Sequence, residues 1–446
     1  MNDISLLPPE LYVVMIRYLL QPDIYCLANT STMWNKFINI HSLLNKKIKF
    51  WDISSSNVLS YIGDLIPKDE VCRMAFKTGN IQVLKRALIK NYRHNEHDIA
   101  YGAENGQLEI LKWARKYDYE WDSETCASAA YGGHLEILKW LREQGCEWDR
   151  WTCINAAEKG HLEILQWAYK EGCPLTSAVC KKAAQKGHLE IIKWAYQNGC
   201  VLSAKLPTIA VKKARIDILK WLRKNACPFD EKTASMAAYW GHLKILKWLR
   251  KYNYPWNKEV CSNAAEGGNF EILKWARKHG CPWNYGTCVS AAFQNKFEIL
   301  KWARENGCDW NKTVMVCAGA ALVGNLEMLK WLRKNKCPWD EETIYRAAGS
   351  GHLEIIKWAR RHGCKWNKEA CTAAASYGHL EILQWLREKG CPWDKSVFYG
   401  ALALPSKNIE IIKWAYENGC EWNNDLYEYA KCIRNSKIIE WLRDTF

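Results

Sequence analysis

TCASAAYGGHLEILKWLREQGCEWDRW, running from Thr125 to Trp151, is the stretch whose reading decides the fold, because its pattern returns along most of the chain. Its second half, HLEILKWLREQG, places Leu135, Ile137, Leu138, Trp140 and Leu141 at spacings that give a broad apolar helical face, with Lys139, Arg142 and Glu143 opposite. Gly132 and Gly133 break the chain before this helix, His134 or its neighbour can cap or brace its start, and Glu136 falls in the favourable first turn. Gly145 is placed to stop the helix in a left-handed conformation. The preceding TCASAAYGG reads as a shorter helix whose Ala129 and Ala130 allow a neighbouring helix to come close. Two helices this small cannot bury their own apolar faces, so such units must stack.

Tryptophan supplies the period. Trp113, Trp140, Trp167, Trp194, Trp221, Trp248, Trp275 and Trp302 recur every 27 residues, followed by Trp331, Trp358, Trp385, Trp414 and Trp441. Two of the later steps are 29 residues, which puts small insertions in loops around Thr313 and near Pro405 and Ser406. A degenerate copy, NIQVLKRALIKN at 80–91, carries Arg86 at the tryptophan position. The reading is therefore an all-α solenoid of about fourteen helix–turn–helix units. It occupies residues 76–446, with 46–75 as linker and N-terminal cap and 424–446 as closing cap.

The run Gly133 to Cys146 resembles the second helix and exit turn of an ankyrin repeat, and Thr125 to Ala130 a shifted form of its first helix. The period is 27 instead of the usual 33 or so, with a short CEWD- or CPWN-type loop where that family carries a projecting hairpin. Recognition is accordingly expected on the first helices. The tryptophan-rich, short-period style is similar to ankyrin proteins encoded by large DNA viruses of protists.

Residues 7–38, LPPELYVVMIRYLLQPDIYCLANTSTMWNKFI, do not fit the repeat. Pro8 and Pro9 can open a helix whose apolar face holds Leu11, Met15, Ile16 and Leu19, and Gln21-Pro22-Asp23 turns into a second helix with Ile24, Leu27 and Ala28. The opening Leu7-Pro8-Pro9-Glu10-Leu11, the Pro22-Asp23-Ile24 step and the closing Trp34 resemble an F-box, so residues 1–45 are read as an F-box-like helical module. That resemblance implies docking on the Skp-type adaptor of a cullin–RING ubiquitin ligase through Leu7, Pro8, Leu11, Ile16, Leu19, Ile24 and Leu27. The alternative is a helical cap over the first repeat.

The composition, 48% hydrophobic and 25% charged, is that of a folded chain. No stretch approaches the roughly 18 apolar residues of a membrane-spanning helix, and MNDISLLPPE lacks the layout of a signal peptide. These features place the protein in the cytoplasm, a host's cytoplasm if it is viral, with the nucleus left open, as a monomer without a membrane partner. The twenty cysteines recur at repeat positions and read as reduced core residues. Pairs seven apart, such as Cys146 with Cys153, lack the closer spacing and four-ligand grouping of zinc sites. The net charge of +15 lies wholly in the repeats, at about one charge per unit. Lys139 with Arg142, and their equivalents, read as a solvated face, which makes nucleic acid a less favoured partner.

The helix tryptophans read as core. The second series, Trp121, Trp148, Trp256, Trp283, Trp310, Trp339, Trp366, Trp393 and Trp422, reads as staples between units. His134, His161, His188, His242, His352 and His379 share one repeat position with Asn80, Asn269 and Asn325, which suggests hydrogen-bonding support and not catalysis. No phosphate loop, nucleophile–base pair, metal site or cofactor site emerges, and the chain is read as no enzyme. Positions that change between copies are free for recognition: Tyr131, Lys181, Lys182, Tyr239, Trp240, Phe293, Tyr345, Arg346, Tyr377 and Tyr399. The expected function is a two-part adaptor that links an unknown target protein on the repeats to a ubiquitin ligase. The alternative is a scaffold or decoy that sequesters a host or cellular protein without ligase docking.

Overall fold

In a computed structural model of the chain, the described residues are 68–90, 92, 97–402, 409–422 and, near the C-terminus, 425, 426, 428, 429, 438, 440 and 441. The segment read as F-box-like lies outside them, with the seven residues expected to dock an adaptor, as does most of the stretch expected to be the closing cap. Among the described residues there are 26 helices and no strand. They form thirteen successive pairs, from Lys68–Thr78 with Ile81–Ile89 to Ser396–Leu402 with Ile409–Glu417. The first pair opens at Lys68, inside the stretch expected to be linker.

The chain divides into two compact units, Met1–Leu206 and Pro207–Phe446, at the helix Lys205–Lys212. Within each unit the first helices of successive pairs pack on one another, as Asp98–Glu104, Ser123–Gly132 and Arg150–Lys159 do in one and Lys258–Glu266, Tyr285–Phe293 and Met315–Leu322 in the other. The alanine pairs permit this approach: Ala129, Ala130, Ala264, Ala265, Ala291 and Ala292 are all fully buried. The second helix of each pair covers the first with the Ile137, Leu138 and Leu141 triplet or its equivalents, such as Ile272, Leu273 and Ala276.

The helices of a pair are of nearly equal length, ten residues for Ser123–Gly132 and nine for Leu135–Glu143, where the sequence suggested a shorter first helix. The reason lies in the acid or amide after most exit-turn tryptophans, which serves as the N-cap of the next helix. Asp122, Asp149, Asn257, Asn284 and Asp340 each accept a hydrogen bond from a first-turn backbone N–H, at 2.8–3.1 Å. The loop motif is thus a helix start.

Tryptophans of the two series meet edge to face across successive pairs. Trp121 lies 5.7 Å from Trp140, Trp148 5.6 Å from Trp167 and Trp339 5.9 Å from Trp358, centroid to centroid. The helix tryptophans are only half-buried, however; the core is made of Ile, Leu, Ala and Cys, and the tryptophans rim it. The arginine that stands two residues after most helix tryptophans is not a solvated charge either. Arg142 donates to the Cys146 carbonyl at 2.5 Å and its guanidinium lies 4.3 Å over the Trp148 ring. Arg277 and Arg387 repeat this clamp on Cys281 with Trp283 and on Cys391 with Trp393. Replacing Arg277 by Met keeps the stem and removes both contacts, and is expected to cost about 1–2 kcal/mol in equilibrium unfolding; a change within error would show the clamp to be incidental. The lysines do form the expected solvated face, as Lys139 with Glu136 at 2.8 Å and Lys357 with Glu354 at 2.7 Å.

The histidines support the fold by a route the sequence left open. His134 and its equivalents make no side-chain cap. Except at His242, their Nε2 atoms instead reach the first helix of the preceding pair: His134 to the Glu104 carbonyl at 3.1 Å, His161 to that of Tyr131 at 3.3 Å and His379 to that of Gly349 at 3.2 Å. A carbonyl can only accept, so Nε2 carries the proton. Asn269 makes the same bridge, to Ala238 and Tyr239, whereas Asn80 and Asn325 cap their own helices.

Four fully buried threonines, Thr125, Thr152, Thr287 and Thr343, have hydroxyls without a partner, while the equivalent Thr233 donates to Asp230 at 3.0 Å. Val179 and Val260 fill the same position with no exposure. Threonine to valine at the four orphan sites is expected to stabilise by about 1 kcal/mol each. Thermal unfolding of the quadruple variant measures this, and a lowered midpoint would show that the hydroxyls have partners.

Candidate protein-binding surface

The first helices bury one side under the second helices and against each other, which leaves their remaining face and two ends for contact. The ten variable residues fall on that face at two levels. Lys181, Lys182, Tyr345, Arg346 and Tyr399 lie near the middle of their helices, and Tyr131, Tyr239, Trp240, Phe293 and Tyr377 at the C-terminal ends.

Their exposure differs widely. Tyr377 is 63% exposed and Trp240 41%, and Lys181 also faces solvent. Tyr131, Tyr239, Phe293, Tyr345 and Tyr399 are half-buried. Several are engaged inside the repeats: Lys159 sits 4.2 Å over the Tyr131 ring, Lys182 pairs with Glu158 at 2.5 Å, and Arg346 pairs with Glu342 at 2.7 Å. Lys182, with Lys186 beside it, holds the Glu158 carboxyl below its ordinary pKa, Lys182 being the main cause. The Phe293 ring packs against Gly319, where a Cβ would fall 2.5 Å from its Cδ2, and Tyr399 meets Tyr429 edge to face at 5.4 Å. Tyr377 and Trp240 are therefore the strongest anchors of the ten, whereas Lys182 and Phe293 serve neighbouring repeats and Arg346 is engaged within its own helix.

Two exposed aromatic residues escaped the sequence reading. Trp151 is 47% exposed and Tyr285 43%, both in the first turn of a first helix. Trp151 borders a shallow recess lined by Ser123, Glu124, Ala127, Asp149 and Asn155. The signal was present: equivalent positions hold Glu124, Glu259, Glu342 and Glu369, so a tryptophan there departs from the pattern as plainly as Tyr377 does.

Chemistry at the cysteines is muted. The structure brings together cysteines twenty apart instead of seven, as Cys180 and Cys200, whose sulfurs are 3.3 Å apart, and Cys146 donates to the Asp122 carbonyl at 3.3 Å. Burial pushes the Cys227 thiol up to about 11 and, with Asp340 nearby, that of Cys364 to about 12, so both stay protonated. His97, Asp122 and Glu124 converge at the surface, where His97 pairs with Glu124 at 2.6 Å and Asp122 caps a helix. Among the described residues no helix is long and apolar enough to cross a membrane.

Comparison with known proteins places these helical pairs. The family described as ankyrin repeats (many copies) matches residues 126–168, and that described as ankyrin repeats (three copies) matches 314–397. No curated protein matches the chain. Among solved structures, the human ASB11 ankyrin repeat domain is 17% identical over 35% of this chain and 83% of its own, with a TM-score of 0.32. The pentatricopeptide repeat protein PPR10 in complex with an 18-nt psaJ RNA element is 13% identical over 98% of this chain and 78% of its own, with a TM-score of 0.37. Residues 126–168 and 314–397 are ankyrin repeats, and the pairs around them follow the same plan, so the described chain is an all-helical ankyrin-repeat solenoid, a protein–protein interaction scaffold.

Proposed function

We propose that this protein is a substrate-recognition adaptor: the repeats hold a target protein on their first-helix face, and residues 7–38 dock on a Skp-type adaptor of a cullin–RING ubiquitin ligase. The observation that carries the target-binding half is the exposure of Tyr377, Trp240 and Trp151 beside first helices whose recurring alanine positions are buried. Large aromatic side chains held on rigid elements lose little freedom on binding and make the usual anchors of protein interfaces. The ligase half rests on Leu7-Pro8-Pro9-Glu10-Leu11 and Trp34. A segment of about 35 residues has too little interior to be stable without a partner surface.

The two halves separate experimentally. Co-purification of the full chain with a Skp-type adaptor should be lost on Leu7→Ala, Pro8→Ala and Leu11→Ala, with the helical signal and unfolding cooperativity unchanged. Capture of a target should survive those changes and fail on Trp151→Ala, Trp240→Ala and Tyr377→Ala. An adaptor that binds neither the intact chain nor the variant would reduce residues 7–38 to a cap and leave a scaffold or decoy.

A further inference from the structure

The positive charge is not spread at one per repeat. Residues 207–258 hold twelve basic and three acidic residues, a surplus of nine out of the chain's fifteen. Much of it lies on two neighbouring second helices, Ile216–Lys224 and Leu243–Lys251. Lys220, Lys224, Lys244, Lys247 and Lys251 are all exposed. The helices are tied side by side at one end, where Arg223 lies 3.7 Å over the ring of Tyr252.

Elsewhere the same face is charge-compensated. Glu271 with Lys274, Glu298 with Lys301, Glu327 with Lys330 and Glu354 with Lys357 pair at 2.7–3.1 Å. In Leu243–Lys251, Lys244 stands where those helices have glutamate, so Lys247 loses its partner and gains a like charge one turn away. In Ile216–Lys224 the shorter Asp217 makes no ion pair with Lys220 among the described residues. The scaffold gives up a recurring stabilising pair here and gains nothing internal in return.

We propose that the outward face of these two helices docks an acidic polypeptide segment. This deepens, and rests on, the reading of the repeats as a protein-binding scaffold, and it assigns a second surface on the second helices. Spacing and chemistry support a polypeptide. Lys244, Lys247 and Lys251 form one stripe with a rise of about 4.5–6 Å between them, and carboxylates on alternate residues of an extended peptide recur at about 6.5 Å. Single-stranded nucleic acid would want free ring faces for its bases. The rings bordering the patch are taken: Tyr252 by Arg223, Trp256 by Arg250 at 4.2 Å, and Trp248 by Tyr252 and Tyr254 at 5.3 and 6.1 Å. An anionic membrane would want apolar side chains for insertion beside the lysines, and none of the large hydrophobic residues of these two helices is exposed.

The test measures anisotropy of a labelled twelve-residue glutamate-rich peptide on the full chain, beside a twelve-nucleotide oligouridylate and vesicles containing anionic lipid. One variant carries Lys220→Gln, Lys244→Glu and Lys251→Gln. Lys244→Glu restores the residue of the other repeats and the ion pair to Lys247, so misfolding does not explain a loss. A control removes charge elsewhere, with Lys301→Gln, Lys330→Gln and Lys357→Gln. Peptide binding is expected to weaken about tenfold or more in the first variant and less than about twofold in the control. Equal losses in both would overturn the localised surface, and tighter binding of the RNA or the vesicles than of the peptide at equal salt would overturn the choice of partner. If the wild type binds no peptide while target capture through Trp240 and Tyr377 persists, this surface fails and the scaffold reading stands; if neither binds, the scaffold reading fails too.

Discussion

Trp310→Ala is expected to destabilise the repeats around it by about 3–5 kcal/mol, the range for emptying a fully buried large aromatic site. Trp310 has no exposure, whereas its equivalents Trp283 and Trp339 are half-buried. The difference comes from the two-residue insertion that follows it. Asn311 donates its backbone N–H to the Asp309 side chain at 2.9 Å, Thr313 to the Trp310 carbonyl at 3.1 Å and Met315 to the Thr313 hydroxyl at 3.1 Å. These bonds close the longer loop directly after the ring, which meets Trp331 edge to face at 5.6 Å and carries Arg304 at 4.5 Å. The indole Nε1 is buried without a partner. Trp310→Phe keeps most of the bulk and removes that donor, so it should cost less than about 1.5 kcal/mol. Because each repeat is stabilised only by its neighbours, the alanine variant should also broaden or split the urea transition. An alanine cost no greater than that of Trp283→Ala would mean that the insertion does not seal the site.

Gly160→Ala is expected to cost about 2–3 kcal/mol. Gly160 has φ +90°, a left-handed backbone that costs alanine about 1 kcal/mol or more. A Cβ there would also meet His188 Cε1 at 2.7 Å, and so displace a ring whose Nε2 reaches the Glu158 carbonyl at 3.2 Å. Losing that hydrogen bond adds about 1 kcal/mol. Gly172, with φ +85° and nothing within 4 Å of an added Cβ, isolates the backbone part. Gly172→Ala should cost only about 1 kcal/mol, and equal costs at the two glycines would remove the histidine bridge from the account. The chain contains its own precedent: Ala214 holds φ +55° at the equivalent position, and the histidine that follows it by the same 28 residues, His242, has an Nε2 with no partner.

Much of this fold was legible because repetition averages away local ambiguity. Tryptophan every 27 residues, glycine after most second helices and paired alanines in most first helices pointed to two helices per unit and to the order of stacking. The first 29-residue step is an insertion between the helices Phe297–Glu305 and Met315–Leu322, and only the structure shows what it does, because burying Trp310 depends on where a loop folds in space. Trp151 was overlooked for a simpler reason. It sits in a turn that looked like loop until Asp149 proved to be an N-cap.

By itself the sequence determined the period, the all-helical class and the buried Ile, Leu, Ala and Cys positions, all of which follow from short-range patterns repeated many times. The tertiary structure alone decided relations between residues about twenty or thirty apart. These include His134 bridging to the Glu104 carbonyl, Cys180 meeting Cys200, and Lys244 and Lys247 lying unpaired beside Lys220 on neighbouring helices. It also divided the arginines, held against tryptophan rings and turn carbonyls, from the lysines, which stay in water. Sequence spacing shows which face of a helix a residue shares. Whether that face meets a carbonyl, a ring or solvent depends on the next repeat, whose position is set by packing.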